Sequence, residues 1–356
     1  MRRLRIAQVA PLYESVPPKL YGGTERVVSF LTEELVTLGH DVTLFASGDS
    51  KTTARLVPVC DTAVRLNSEC VDPLASHIAM LQMVQNEIEN FDVVHYHIDY
   101  LHYPTSRIYP SPQVTTLHGR LDICELEKLY KMFENMPVIS ISQAQRQPLP
   151  WLNWVGNVYH GLPPALFKPN FKKGKYLAFL GRISPEKRVD RAIEIAIGAG
   201  IPLKIAAKVD NADKEYFEQN IKHLLDHPLI EFLDEINEDE KQQFLSDSIA
   251  LVFPIDWPEP FGLVMIEAMA CGTPVVAYRC GSVPEVIEHG RNGFIVDNQE
   301  QAIKAVQNIS LLEREECRKT FEERFTADQM AKGYVKVYET MMGLNGTKMN
   351  LMVTKV

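Results

Sequence analysis

Chemistry-bearing residues are densest in residues 258–276, PEPFGLVMIEAMACGTPVV. Glu259 stands in a proline-flanked loop, Gly262 opens an apolar helical run, and Glu267 lies one turn past Leu263 on the same helical face. The first backbone N–H groups of a helix have no internal acceptors, so such a start is a seat for phosphate. Gly262 lets a ligand approach the main chain, and a carboxylate at Glu267 can accept hydrogen bonds from a ribose diol. Arg182 and Lys187 stand five residues apart after a strand-like run and Gly181. Two fixed cations so placed can bind an anion. Taken alone, these glutamates and cations read as ordinary solvated charges.

Two further groups lie in the first half of the chain. Gly22-Gly23 precedes a helical run, where glycines bring backbone amides to an anion or an acceptor, or simply make a tight turn. Thr116-Leu117-His118-Gly119 ends a strand-like run and places an imidazole at its tip. His95 and His97 share a strand face, the geometry of two metal ligands, but no third ligand accompanies them. The chain also holds no Asp-x-Asp pair, another arrangement that can grip a divalent ion.

These residues need positioning elements, and the chain has the composition to build them. Its 356 residues correspond to a little over two domains, and a hydrophobic share of 46% with 23% charged residues is that of a globular protein. No apolar run approaches the roughly 20 residues of a spanning helix. The net charge of −9 argues against sequence-independent nucleic-acid binding. Six scattered cysteines without a CxxC pair point to a reduced, cytoplasmic protein, and the basic start runs into Pro11 without the pattern of a cleaved leader.

Apolar runs alternate with helical periods, the signature of βαβ units and parallel sheets. In the first half strands are expected over residues 4–10, 42–46, 91–96, 113–117 and 138–142. A helix runs between the first two, with Thr24 as its cap and Gly39 at its end. Residues 161–175, rich in proline and lysine, mark a domain boundary. The pattern then restarts with strands over 176–180, 203–207, 230–233, 249–254 and 274–277 and helices over 190–199 and 263–270. A charged helical stretch over 313–342 is expected either to cap the second half or to cross back to the first, the latter being the reading adopted. The domains are therefore drawn as 1–162, 163–325, a crossover helix 326–342 and a tail 343–356, giving two Rossmann-like domains facing across a cleft.

The spacing Glu259-x7-Glu267 within PEPFGLVMIEAMACGTPVVA resembles the signature of retaining glycosyltransferases of family four, which have the GT-B architecture. The resemblance implies that Glu259 sits beside the donor sugar, that Glu267 binds the donor ribose, and that the backbone at Phe261, Gly262 and Leu263 contacts the diphosphate or sugar. Arg182 and Lys187, in FLGRISPEK, match the pair that grips the diphosphate. Gly22 and Gly23 match a loop near the diphosphate and the acceptor entrance. His118 matches a histidine that faces the donor sugar. By the same analogy the nucleotide base lies against Asp234-Glu235-Ile236. The runs 21–28 and 44–50 resemble a narrower subgroup related to avilamycin-biosynthesis enzymes. One departure stands out: His160 replaces the asparagine that many relatives carry at the interdomain crossover.

The expectation is a metal-independent transferase of the hexosyltransferase class, with a nucleoside diphosphate-sugar as co-substrate and no other cofactor. Its acceptor would be a sugar, lipid-linked or small-molecule hydroxyl, held by residues 100–109 and 121–131. Arg2, Arg3, Arg5, Lys19 and Arg26 are a thin basis for contact with a membrane face. Two alternatives stand beside this reading. A nicotinamide dehydrogenase would need G-x-G-x-x-G after a strand, which neither Gly22-Gly23 nor Gly181 supplies. A catalytically idle nucleotide-sugar-binding protein would keep the fold without the chemistry.

Overall fold

The computed structural model describes residues 2–19, 22–109 and 111–343; Tyr21 and the tail beyond Gly343 lie outside the described residues. The chain forms two compact units. One runs to Gly161 and resumes at Ala327, and the other is Leu162–Thr326.

The first unit holds β1 (Arg5–Val9), β2 (Asp41–Ala46), β3 (Arg55–Pro58), β4 (Val93–Tyr96), β5 (Gln113–Thr116), β6 (Val138–Ser140) and β7 (Trp154–Asn157). All pair in parallel, in the order β3-β2-β1-β4-β5-β6-β7. The second unit holds β8 (Tyr176–Arg182), β9 (Leu203–Lys208), β10 (Ile230–Phe232), β11 (Ser248–Phe253), β12 (Val275–Tyr278) and β13 (Gly293–Val296). These too are parallel, in the order β10-β9-β8-β11-β12-β13. Central strands such as β1 and β11 are near-continuous apolar runs because helices cover both faces of a parallel sheet. Leu177, Phe179, Ala250 and Val252 are accordingly buried in one core cluster. Each sheet reverses its winding once, between β1 and β4 and between β8 and β11. Loops at the carboxyl ends of strands diverge at such switch points and leave a crevice for ligands.

Three strands escape the sequence pattern: β3, β7 and β13. Each is an edge strand of four residues carrying proline or glycine, and each owes its form to pairing on one side only. The first helix, Gly23–Thr37, begins one residue before Thr24, with Gly22 as its cap and no side-chain capping bond. Thr24 therefore sits inside the first turn and does not cap it. Gly39 follows the helix at φ 88°, the left-handed stop expected of it.

The stretch read as one helix over 313–342 is two, Arg314–Arg324 and Ala327–Met341. The break at Phe325-Thr326 is where Leu162 pairs: its N–H donates to the Phe325 carbonyl at 2.9 Å. The first of the two helices belongs to the second unit and ties down the segment after Leu162. Arg314 donates to the carbonyls of Asn170 (2.6 Å), Ser248 (2.8 Å) and Ser246 (3.0 Å), and to Thr273 Oγ1 (2.7 Å). Arg318 donates to the carbonyls of Phe167, Ala270 and Pro164. Residues 162–175 are thus packed structure and not a free linker.

The helix Ala327–Met341 packs on the first unit through two tyrosine hydroxyls as well as apolar contact. Tyr338 Oη lies 2.6 Å from His95 Nδ1 and accepts from Gln8 Nε2 at 3.3 Å. Tyr334 Oη accepts from Thr116 Oγ1 at 3.2 Å, and His95 Nε2 lies 2.7 Å from Thr116 Oγ1. All five side chains are buried, so each hydrogen bond replaces one lost from water.

Two measurements check these fastenings. Arg314→Met keeps much of the volume but leaves buried carbonyls unpaired, so urea unfolding is expected to show a loss of about 2–4 kcal/mol; an unchanged midpoint would contradict the assignment. Burial and neighbouring imidazoles hold His95, His97 and His160 well below the usual histidine range, and burial pulls His118 down to about 3. A folded-state value below the unfolded one means the unfolded chain binds more protons, so stability is complete above about pH 6.5 and is lost as pH falls below it. The expected slope is about 1.4 kcal/mol per pH unit for each such histidine. Denaturant titrations at pH 7.5, 6 and 5 measure it, and constant stability would show these histidines taking up protons in the native state.

Candidate functional site

In the second unit the candidate residues gather at the carboxyl ends of β8 and β11, the two strands at the switch point. Arg182 is the last residue of β8. Its guanidinium lies 2.9 Å from Glu186, 3.5 Å from Asp210 and 3.8 Å from Asp213, carboxylates of the loops that follow β8 and β9. These partners hold a long side chain in one place while keeping it at the strand end. The β8 loop is tied to the loop after β11: the Asp256 N–H donates to the Glu186 carbonyl at 2.9 Å, and Arg188 and Arg191 both pair with the Asp256 carboxylate.

Within that lacing Lys187 Nζ meets Glu259 Oε2 in a direct ion pair. Trp257 Nε1–H donates to the same oxygen at 3.1 Å, and its ring lies 5.2 Å from the ammonium. One half-buried carboxylate is therefore held by a cation and an indole, with the indole face also taking up the cation's charge. Trp257 was not among the residues singled out in sequence, although an aromatic beside Glu259 in WPEPFG was a signal.

The loop is held from behind as well. The Ser282 N–H donates to the Glu259 carbonyl at 3.0 Å, and Ser282 Oγ donates to the Phe261 carbonyl at 2.7 Å. Gly281, at φ 53°, approaches so closely that a Cβ would lie 2.4 Å from the Glu259 nitrogen. Sequence reasoning missed this pair, and a Gly-Ser turn directly after a strand was the available clue. Phe261 is buried and Gly262 caps the helix Leu263–Ala270 in the left-handed conformation, φ 79°. That φ is one that residues with a Cβ rarely adopt, so glycine suits the helix mouth.

Glu267 is neither solvated nor at the surface: it is 3% exposed. Lys241 Nζ lies 3.0 Å from its Oε1, a partner that sequence reasoning did not identify. Lys241 comes from the helix Glu238–Ser246, which starts with an Asn237 capping box just after half-buried Ile236. The structure thus brings the Ile236 loop and Glu267 together through one helix.

In the first unit Gly22 and Gly23 follow β1, and His118 follows β5, again at carboxyl ends of strands. His97 Nδ1 lies 2.8 Å from His118 Nε2, and the His118 ring stacks on His160 at 5.3 Å with 17° between planes. His160, the departure from the expected asparagine, is buried as this stacking partner. His95 and His97 are engaged by Tyr338, Thr116, Gln8 and His118, and no group of three or more His, Cys, Asp or Glu able to hold a metal exists among the described residues. Of the segments expected to hold an acceptor, Tyr103 and Tyr130 are core residues with buried rings. Among the described residues no helix is long and apolar enough to cross a membrane.

Comparison with known proteins agrees with this layout. Residues 21–157 match the family Glycosyltransferase Family 4, and residues 165–327 match Glycosyl transferases group 1. An uncharacterized glycosyltransferase of Methanocaldococcus jannaschii is 26% identical, with the match covering 96% of this chain and all of that one. Among solved structures, a glycosyltransferase of avilamycin A biosynthesis superposes with a TM-score of 0.73 at 22% identity, covering 96% and 98% of the two chains. Anabaena HepE in complex with UDP and glucose gives a TM-score of 0.73 at 16% identity, covering 95% of this chain and all of the other. With its family-four first half, its group 1 second half and two parallel Rossmann-like sheets, the chain belongs to the GT-B glycosyltransferases.

Proposed function

We propose that the protein is a retaining transferase that moves a hexose-type sugar from a nucleoside diphosphate donor to a hydroxyl acceptor without a metal ion. The observation that carries this reading is the Lys187–Glu259–Trp257 cluster at the β8/β11 switch point, one turn from a helix mouth and beside Arg182. Binding of UDP and UDP-glucose by HepE, a protein of the same fold, supports the donor class.

In this reading Arg182, Lys187 and the helix mouth at Gly262 face the diphosphate, with the backbone of Phe261 and Leu263 on either side. Glu267, paired with Lys241, accepts from the ribose diol, and Ile236 lies against the base. Glu259 orients sugar hydroxyls; its ties to Lys187 and Trp257 keep it aimed. His118 binds a further hydroxyl of the sugar, and Gly22 and Gly23 approach the diphosphate or the acceptor. The reaction breaks the bond between the anomeric carbon and the phosphate oxygen and forms one to the acceptor oxygen on the same face. Charge accumulates on the departing diphosphate, where fixed cations and helix N–H groups are most effective. The acceptor hydroxyl loses its proton as it attacks, and the departing phosphate oxygen is the base that takes it. The protein acts in the cytoplasm in this reading, at a membrane face if the acceptor is lipid-linked.

Two experiments test the proposal. A thermal-shift panel of UDP-, GDP-, ADP- and dTDP-sugars, with and without EDTA, should show one donor raising Tm with the logarithm of its concentration, unaffected by EDTA. No response to any of them would overturn the donor assignment. With that donor, Lys187→Ala and Glu259→Gln should each cut transfer roughly a hundredfold or more while circular dichroism stays native. Near-parental turnover in both would refute the assignment of the site, and donor binding without transfer by the parent would favour an idle nucleotide-sugar-binding protein.

A further inference from the structure

Polar side chains of the first unit form one continuous chain from a strand-end histidine to the returning helix. His118 Nε2 lies 2.8 Å from His97 Nδ1, His97 Nε2 lies 2.7 Å from Gln8 Oε1, and Gln8 Nε2 lies 3.3 Å from Tyr338 Oη. Tyr338 Oη lies 2.6 Å from His95 Nδ1, His95 Nε2 lies 2.7 Å from Thr116 Oγ1, and Thr116 Oγ1 donates to Tyr334 Oη at 3.2 Å.

The protons in this chain can be placed by elimination. A hydroxyl has one proton to give, and a neutral imidazole has one N–H and one lone pair. Thr116 spends its proton on Tyr334, so it must accept from His95 Nε2–H. That leaves His95 Nδ1 as a lone pair, which accepts from Tyr338. Tyr338, having donated to His95, accepts from Gln8 Nε2, a nitrogen that can only donate. The Gln8 oxygen therefore faces His97 and accepts from His97 Nε2–H, which leaves His97 Nδ1 as a lone pair. The last link follows: His118 must carry its proton on Nε2 and donate it to His97. Every donor points the same way, from His118 to Tyr334, and no member is left with two donors or two lone pairs facing. A second proton on His97 would set its Nδ1–H against the Nε2–H of His118, and burial also holds both rings below the usual histidine range.

We infer that His97 is a positioning residue for sugar transfer: it fixes the ring and tautomer of His118, so that Nδ1 of His118 is the lone pair presented to a hydroxyl of the bound sugar. The inference rests on the role given to His118 above. Among the described residues no hydrogen-bond partner occupies His118 Nδ1, and the His160 ring against one face of the imidazole limits its rotation. Gln8, from β1, and Tyr338, from the returning helix, act one and two links further back. The helix Ala327–Met341 thereby has a direct polar connection to a strand-end residue of the site.

The test uses the full chain and two readouts. Nitrogen-15 spectra of labelled histidine report the tautomer without substrate, with His118 assigned by loss of its signals in His118→Gln. The parent should show His118 protonated at Nε2 and bare at Nδ1; the opposite tautomer overturns the inference. His97→Leu removes the acceptor, and His97→Asn returns an amide oxygen to the place of Nδ1. With the donor identified by thermal shift, His97→Leu should lower kcat roughly ten- to a hundredfold with donor KM moved far less, the usual cost of a misplaced group. His97→Asn should recover most of that loss and keep the Nε2–H tautomer. Unchanged kcat in His97→Leu, or equal losses in both variants, overturns the inference. Should His97→Leu not fold, Gln8→Leu severs the next link and is expected to mix the His118 tautomers; a single unchanged tautomer there also overturns it. Absence of any transfer by the parent refutes the functional reading itself and is told apart, because the nitrogen spectrum still reports the relay.

Discussion

The contact between the Lys187 ammonium and the Glu259 carboxylate joins residues 72 positions apart in the chain. It exists because β8 and β11 are neighbours in a parallel sheet although two strands intervene in sequence. Parallel strands deliver their following loops to the same edge, and a reversal of winding leaves those loops side by side with no helix between them. Everything else in the second unit serves that juxtaposition. Asp256 laces one loop to the other, Gly281-Ser282 closes on the Glu259 backbone, and Lys241 supports Glu267 from the next helix.

The fold is fastened by polar groups as much as by apolar packing. Arg314 and Arg318 hold the chain after Leu162 against the second unit by donating to its carbonyls. Tyr334 and Tyr338 hold the returning helix to the first unit through a buried histidine network. Such groups cost free energy when left unpaired, so they specify one arrangement more sharply than interchangeable aliphatic contacts do. In the first unit the same network reaches His118, so the fastening of the helix and the placing of that strand-end imidazole share one set of hydrogen bonds.

The central strands of both sheets were legible because burial on both faces demands near-continuous apolar runs, as in IALVF of β11 and, interrupted only by Gln8, IAQV of β1. The helix Leu263–Ala270 was legible to the residue, bounded by Gly262 and Gly272. The edges were not: RLVP, WVGN and GFIV have too little pattern to announce a strand, and a neighbouring strand supplies what the side chains lack. Thr24 illustrates another limit. Its type suits a cap, but Gly22 takes that place and the helix starts one residue earlier. The break at Phe325-Thr326 likewise depends on Leu162, more than 160 residues away in the chain.

For the candidate site, residue type and spacing marked local features, a helix mouth, a strand end and a cation pair, and it was the family resemblance that raised Glu259, Glu267, Arg182, Lys187, Gly22, Gly23 and His118 above ordinary solvated residues. Their partners were beyond reach. Trp257 at Glu259, Lys241 at Glu267, Ser282 at Phe261 and His97 at His118 are contacts between separate loops, helices or strand ends. The sequence by itself determined which groups stand at the ends of which elements, since periodicity and capping act over one or two turns. Only the tertiary structure decided which of those ends meet, and with that the partner set against Glu267 and the ring set against His118. Those are properties of pairs, and the pairing is set by strand order in the sheet.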